Sequence, residues 1–469
     1  MRTASQFKWT WLRSSVLLAL SLTCSVCLAT PLFHAYTLLG EHGRSSIRVL
    51  TDADTCPMVK VDGRRLLAMT LRAPKEEVPA RSAAQAEIKP ALFPVLSCEL
   101  QLPVGVKRAS VGGQSLPLLQ RPPRRILILG DSGCRMKGSD HAFQACNDAA
   151  AWPFARIAAA AVRFKPDLVL HVGDYHYRES PCPPGDAGCA GSPWGNGYDA
   201  WAAEFFVPAQ ALLRAAPWVV ARGDHEICTR AGQGWFRFLD PRPYRAATSC
   251  NDAALDGEAD YSEPYAVDLG RDTQLIVFDS ARITSKVYAA EAEPGRIYQA
   301  QLRQVDVLAG QRLHSFFVSH HPVLAFSSAQ GRVEARPGNA ALQALMGSLH
   351  PQRLLAPGVD LAIHGHVHLF QSLSFASDHP ATLVNGNSGS SLYSPLPARL
   401  PEGVSPAPGA QVAEFFTHDD FGFLIMERHG RTWRLTERDI RGRVLHSCRL
   451  RQDKLHCRNP GRGAVAGSP

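Results

Sequence analysis

Five short apolar runs in this chain each stop on a residue type that binds metals. "RILILGD" stops at Asp131 and "DLVLHVGDYHY" at Asp174. "PWVVARGDHE" stops at Asp224 and His225, and "SFFVSHHP" at His320 and His321. "VDLAIHGHVH" stops at His364, His366 and His368. Each run is short, β-prone and buried by composition, which is the pattern of a strand buried on both faces. In α/β sheets, sites gather beyond the carboxyl ends of strands, where loops converge. A single D-x-G or H-x-H would be a weak signal, but five runs ending this way predict an α/β fold with one shared site.

The residue types narrow the chemistry. Carboxylate oxygen and imidazole nitrogen together suit Fe, Mn and Zn. There are more donors than one tetrahedral ion can use. Two ions about 3.5–4 Å apart need a bridging carboxylate and can clamp both ends of an in-line phosphoryl displacement. A metal-bound water becomes hydroxide near neutral pH and can attack phosphorus, while a nearby histidine protonates the leaving oxygen.

The ordered set GDSG, GDYHY, GDHE, SHHP and GHVH resembles the calcineurin-like metallophosphoesterase superfamily. More narrowly it resembles the purple acid phosphatase branch, whose motifs run GDxG, GDxxY, GNHE, VxxH and GHxH. The likeness covers residues 124 to 390. It implies a four-layer α/β/β/α sandwich and a binuclear centre, Fe(III) plus a divalent Fe, Zn or Mn, acting on a small phosphorylated substrate. By position, the resemblance gives the first metal Asp131, Asp174, Tyr177 and His368. It gives the second Asp174 as bridge, Asp224, His320 and His366. His225 would be the acid or phosphate contact, with Glu226 orienting it. His176 either contacts phosphate or packs behind the ligands. His321 and His364 read as supporting or core histidines. The activity implied is that of a phosphomonoesterase, with a phosphodiesterase or nucleotide-cleaving enzyme as the alternative. A non-catalytic metal-containing binding protein fits the intact donor set less well.

Two positions depart from common patterns. Most metallophosphoesterases carry D-x-H in the first motif, and here the third position is Gly133. Tyr177 stands where purple acid phosphatases place the replacement donor, so glycine and tyrosine read as two halves of one exchange. The asparagine of GNHE is Asp224 here, which adds a negative charge and would lower the Lewis acidity of the second ion.

The remainder of the chain points to export. Residues 1–29 read as a signal peptide: "MRTASQFKWTWLR" is basic, "SSVLLALSLTCSVCLA" apolar, and small residues precede a cut after Ala29. No later segment is long and apolar enough to span a bilayer. Ten cysteines remain after that cut, and their spacing falls into neighbours: 56–98, 134–146, 182–189, 228–250 and 448–457. An even number in an exported chain suggests five disulfides and a periplasmic or secreted location. Residues 30–120 alternate in short runs broken by Gly and Pro, which predicts a small β-rich N-terminal domain. Residues 121–458 are expected to form the catalytic domain, and 459–469 a disordered tail. Helices are expected over 149–164, interrupted near Pro153, and over 198–215. The tryptophan-rich insertion 178–250 follows Tyr177 and is expected to wall the substrate pocket. The net charge of +8 leans on the Arg-rich stretch 428–462. A mild basic excess suits anionic substrates, but no basic run is interleaved with aromatics as a nucleic-acid binder would need. No oligomeric state follows from the sequence.

Overall fold

Two mixed sheets lie face to face in this computed structural model, which describes Met1 and residues 33–81, 88–289, 291–329 and 332–458. Met1 aside, the expected signal peptide lies outside the described residues, as does the tail 459–469. Among the described residues no helix is long and apolar enough to cross a membrane.

The first sheet has eleven strands, and its centre holds Arg125–Leu129, Leu168–His171 and Trp218–Val220, all parallel. The second has seven, with Thr273–Val277, His314–Val318, Val359–His364 and Ala381–Asn385 parallel at its centre. Side chains alternate along each strand. Ile126 and Ile128 point into the core between the sheets, where they join Val277, Phe316, Val318, Leu361 and Ile363. Leu127 and Leu129 point the other way, into a core with the helix Phe154–Val162 and the buried Trp201, Trp218 and Trp235. The outer face of the second sheet is covered by Glu293–Ala309 and Ala340–Leu349. Glu293–Ala309 buries Tyr298, Leu302, Val305 and Ala309 along one stripe at helical spacing, with Pro294 in its first turn. The layers therefore run α/β/β/α.

Residues 33–120 are rich in strands, but the division expected at residue 120 is not a break in the sheet. Phe33–Leu39 pairs in parallel with Trp218–Val220, and Ser45–Thr51, Leu96–Gln101 and Thr70–Ala73 extend the same sheet. This continuation covers what would otherwise be an open edge beside the catalytic strands. Two buried arginines fasten it. Arg48 Nη1 donates to Phe238 O at 3.0 Å, and Arg72 Nε donates to Phe236 O at 2.8 Å. Alternation in single strands carries no information about which sheet they join, so the sequence pattern could not show this. The region also keeps a small core of its own around Val59, Val111 and the Cys56–Cys98 disulfide.

All five neighbour pairings of cysteine are present: 56–98, 134–146, 182–189, 228–250 and 448–457. The helix expected from 149 begins at Phe154, after Pro153. The helix expected over 198–215 is divided into Tyr198–Trp201, a wider turn at Ala202–Phe206, and Gln210–Ala215. The wide turn places the buried Glu204 beneath the site.

Candidate active site

Every parallel strand that ends in a candidate donor ends at the same place. Asp131 follows Arg125–Leu129, Asp174 follows Leu168–His171, and Asp224 follows Trp218–Val220. From the second sheet, His320 follows His314–Val318, and His366 and His368 follow Val359–His364. The donor atoms of Asp131, Asp174 and His368 lie within 4.8 Å of one another. Those of Asp174, Asp224, His320 and His366 do the same, so Asp174 belongs to both groups. Asp131, Asp174 and His366 all have positive φ, at 54°, 59° and 67°. Such conformations cost on the order of 1 kcal/mol or more each and persist where the surroundings enforce them.

Close approach of the loops accounts for the glycines beside these donors. A Cβ on Gly223 would run into Asp174 Oδ1. A Cβ on Gly133 would meet Glu204 Oε1, with Tyr177 Cδ2 at 2.8 Å and Tyr175 O at 2.9 Å. The space a side chain at 133 would need is therefore filled by Glu204 and by the ring of Tyr177.

Tyr177 Oη lies 3.0 Å from Asp131 Oδ1, 2.6 Å from Asp174 Oδ2 and 2.8 Å from His368 Nε2. A phenol has one proton and cannot serve three acceptors. His368 Nδ1 donates to Ser391 O at 2.7 Å, which leaves the Nε2 lone pair facing the cluster. His320 is fixed in the same way, with Nδ1 3.0 Å from Val172 O and Nε2 3.2 Å from Asp174 Oδ2. Burial and the Asp131 and Asp174 charges push the Tyr177 phenol well above its usual range. Burial alone would lower His320, but the charge of Asp174 and hydrogen bonds to Asp174 and Asp224 win, and it is held well above the usual histidine range. Three converging carboxylates and a crowded phenol call for positive charge in their midst. The donor chemistry therefore fits cations at this place. Asp131, Asp174, Tyr177, His320 and His368 are buried, whereas the side chains of Asp224 and His366 are 24% and 37% exposed, so that edge is the mouth.

The histidine beside the cluster has a partner that sequence reasoning missed. His225 Nδ1 lies 2.7 Å from Glu179 Oε1, and its ring packs 3.8 Å from that of Tyr177. Glu226, expected to orient His225, does something else. Its carboxylate accepts the backbone N–H groups of Gly223, Asp174, Tyr175 and His176 at 2.8–3.1 Å, and so shapes the loop carrying the bridging aspartate. Glu204 does the same from the other side, accepting from Cys134, Tyr177 and Arg178. Neither Glu179 nor Glu204 stands in a recognisable motif, and nothing in their spacing announces them.

His176 is corrected as a substrate contact. It is 1% exposed, packs against Trp201 at 5.4 Å and lies behind the ligand loop. Burial pushes it down to about 3, so it is neutral. His364 is likewise buried, with Nδ1 3.0 Å from Ser319 Oγ. His321 stays near the cluster but 3.9 Å from Asp224 Oδ1, farther than His320. Of the four tryptophans in the insertion, Trp201, Trp218 and Trp235 are core, while Trp194 is half-buried beneath Lys89.

The chain belongs to the calcineurin-like phosphoesterase family, whose profile matches residues 124–370. As a member it is a phosphoester hydrolase with a candidate metal-binding site at the strand ends. Among solved structures it is similar to purple acid phosphatase PPD1 from yellow lupin (Lupinus luteus) seeds. That likeness has 16% identity and a TM-score of 0.52, and covers 89% of this chain and 73% of that one. It is also similar to PhoD, at 13% identity and a TM-score of 0.48, covering 92% of each chain. The likeness to the lupin protein is one of fold. No curated protein matches the chain.

Proposed function

We propose that this protein is an exported phosphomonoesterase of the purple acid phosphatase type, with a binuclear centre at the strand ends. Asp131, Asp174, Tyr177 and His368 would hold Fe(III), and Asp174, Asp224, His320 and His366 a divalent Fe, Zn or Mn. The observation that carries this reading is the convergence of Asp131, Asp174 and His368 on the Tyr177 oxygen, which a single phenolic proton cannot satisfy. When bound, the two cations would activate a water and offset the charge of the phosphoryl oxygens. Asp174, common to both donor groups, would be the carboxylate they share. His225, oriented by Glu179, stands beside Tyr177 and would hand a proton to the leaving oxygen. Burial and Arg230 hold His225 below its usual range before substrate arrives, and an entering phosphate dianion would raise it. The five disulfides support export to an oxidising compartment.

The test is hydrolysis of p-nitrophenyl phosphate beside bis(p-nitrophenyl) phosphate, before and after exhaustive chelation. Activity on the monoester should dominate, vanish with the metals and return on adding iron and zinc. Equal activity after chelation, with no metal by elemental analysis, would end this reading. Preference for the diester would shift it to phosphodiesterase. His225→Ala should lower kcat about 100-fold or more with metal content unchanged, since His225 acts at the leaving group. Loss of metal in that variant would move His225 in among the donors.

A further inference from the structure

The aspartate at 224 is not alone. Arg230, six residues on, returns to it: Nη1 donates to Asp224 Oδ2 at 2.8 Å and to Asp224 O at 3.2 Å. The other carboxylate oxygen, Oδ1, faces His320 Nε2 and His366 Nδ1, each at 3.1 Å. The two oxygens of Asp224 are thus divided between a guanidinium and the histidines. On its far side Arg230 Nε donates to Glu179 Oε1 at 2.8 Å, and Nη2 also contacts Glu179. Its side chain is only 13% exposed. The guanidinium has no edge left over for a phosphate, and it joins the His225–Glu179 pair to Asp224.

We infer that Arg230 sets the charge and the denticity of Asp224, and so lets a carboxylate stand where the family motif carries an amide. This rests on reading Asp224 as a donor at the second metal position. A free carboxylate can chelate a cation through both oxygens. With Oδ2 held by Arg230, Asp224 presents one oxygen, as an asparagine would. The hydrogen-bonded guanidinium also draws charge away from that oxygen. Held in this way, Asp224 would leave a cation at the second position its Lewis acidity toward a substrate oxygen. Arg230 is in this sense a positioning residue that acts through Asp224. GNHE and a GDHE backed by arginine are two solutions to one electrostatic requirement.

The inference makes a signed prediction for zinc binding. The full chain and its variants are dialysed against graded Zn2+ buffers, and retained zinc is counted by elemental analysis alongside phosphatase rates. Arg230→Gln should hold the second zinc about tenfold more tightly yet turn over more slowly, because Asp224 is released to full charge. Asp224→Asn should hold it about tenfold more weakly, because the Asp224 charge that offset the arginine beside the ion is gone. The double variant Asp224→Asn/Arg230→Gln restores the net charge of the wild type and should return to within about threefold of it. Arg230→Lys, which keeps the charge, should stay near wild type. The step from Asp224→Asn to the double variant decides the matter even if Arg230→Gln alone does not fold. If that step weakens zinc binding further, Arg230 is only structural and the inference falls while the metal site stands. If the wild type retains no second zinc, the donor reading of Asp224 falls and takes the inference with it.

Discussion

Asp174→Asn should empty both proposed metal positions and lower kcat/KM by about 10⁴-fold, an expected result that follows from where its two oxygens point. Oδ2 lies 2.6 Å from Tyr177 Oη and 3.2 Å from His320 Nε2, so it reaches donors of both groups. Oδ1 accepts the backbone N–H of His225 at 3.0 Å, which ties Asp174 to the histidine proposed as proton donor. An amide has the same shape and, like Asp, tolerates the φ of 59° at this position, so the backbone need not move. Its neutral oxygen cannot bridge two cations as a carboxylate does, and its NH2 group turns a donor toward atoms that are themselves donors. Asp131→Asn serves as the control, because Asp131 belongs to one donor group only and should lose one metal. Elemental analysis and steady-state kinetics on both variants measure this. Two metals retained per chain in Asp174→Asn would remove the bridge from the mechanism.

The cluster of carboxylates and histidines at the strand ends was legible because a parallel strand has few ways to end. A run buried on both faces is mostly apolar, so an Asp or His just after it stands out, as at Asp131 or Asp174. The layer order was legible through the family motifs and the alternation of strands with helices. What could not be seen in the chain were contacts that depend on the third dimension alone. Glu226 was placed beside His225 because the two adjoin in sequence, but a short helical turn at Asp224–Glu226 sends its side chain back to the Asp174 loop. Glu179 and Arg230 meet His225 across 46 and 5 residues of chain, and no periodicity marks either. His176 sits between Tyr175 and Tyr177 in the loop after Leu168–His171, and the fold of that loop turns it against Trp201. The N-terminal strands were legible as strands, but their partner Trp218–Val220 lies almost 180 residues on.

Tyr177→Phe should bleach the protein and leave it folded, whereas Gly133→Ala should do the reverse. The contrast follows from how the two residues share one space. In the commoner arrangement a histidine two residues after the first aspartate supplies a donor. Here a Cβ at 133 would strike Glu204 Oε1 and lie 2.9 Å from the carbonyl of Tyr175. Glu204 cannot move aside cheaply, because it holds the N–H groups of Cys134, Tyr177 and Arg178. Overpacking of this kind costs about 3 kcal/mol, so Gly133→Ala should lower Tm by several degrees. A histidine there would be worse, and the chain is committed to the tyrosine. Tyr177→Phe removes one oxygen from a ring that is otherwise buried and packed against His225 and His368. Its loss deprives the first position of an anionic hard donor suited to a trivalent ion. The proposed Fe(III) centre would give a visible tyrosinate-to-iron charge-transfer band in the wild type, and Tyr177→Phe should abolish it with little change in Tm. Absorption spectra and thermal melts of wild type and both variants measure this directly. A colourless, fully active wild type containing only zinc or manganese would refute the iron assignment, and the glycine at 133 would then reflect packing around Tyr177 and nothing about the metal.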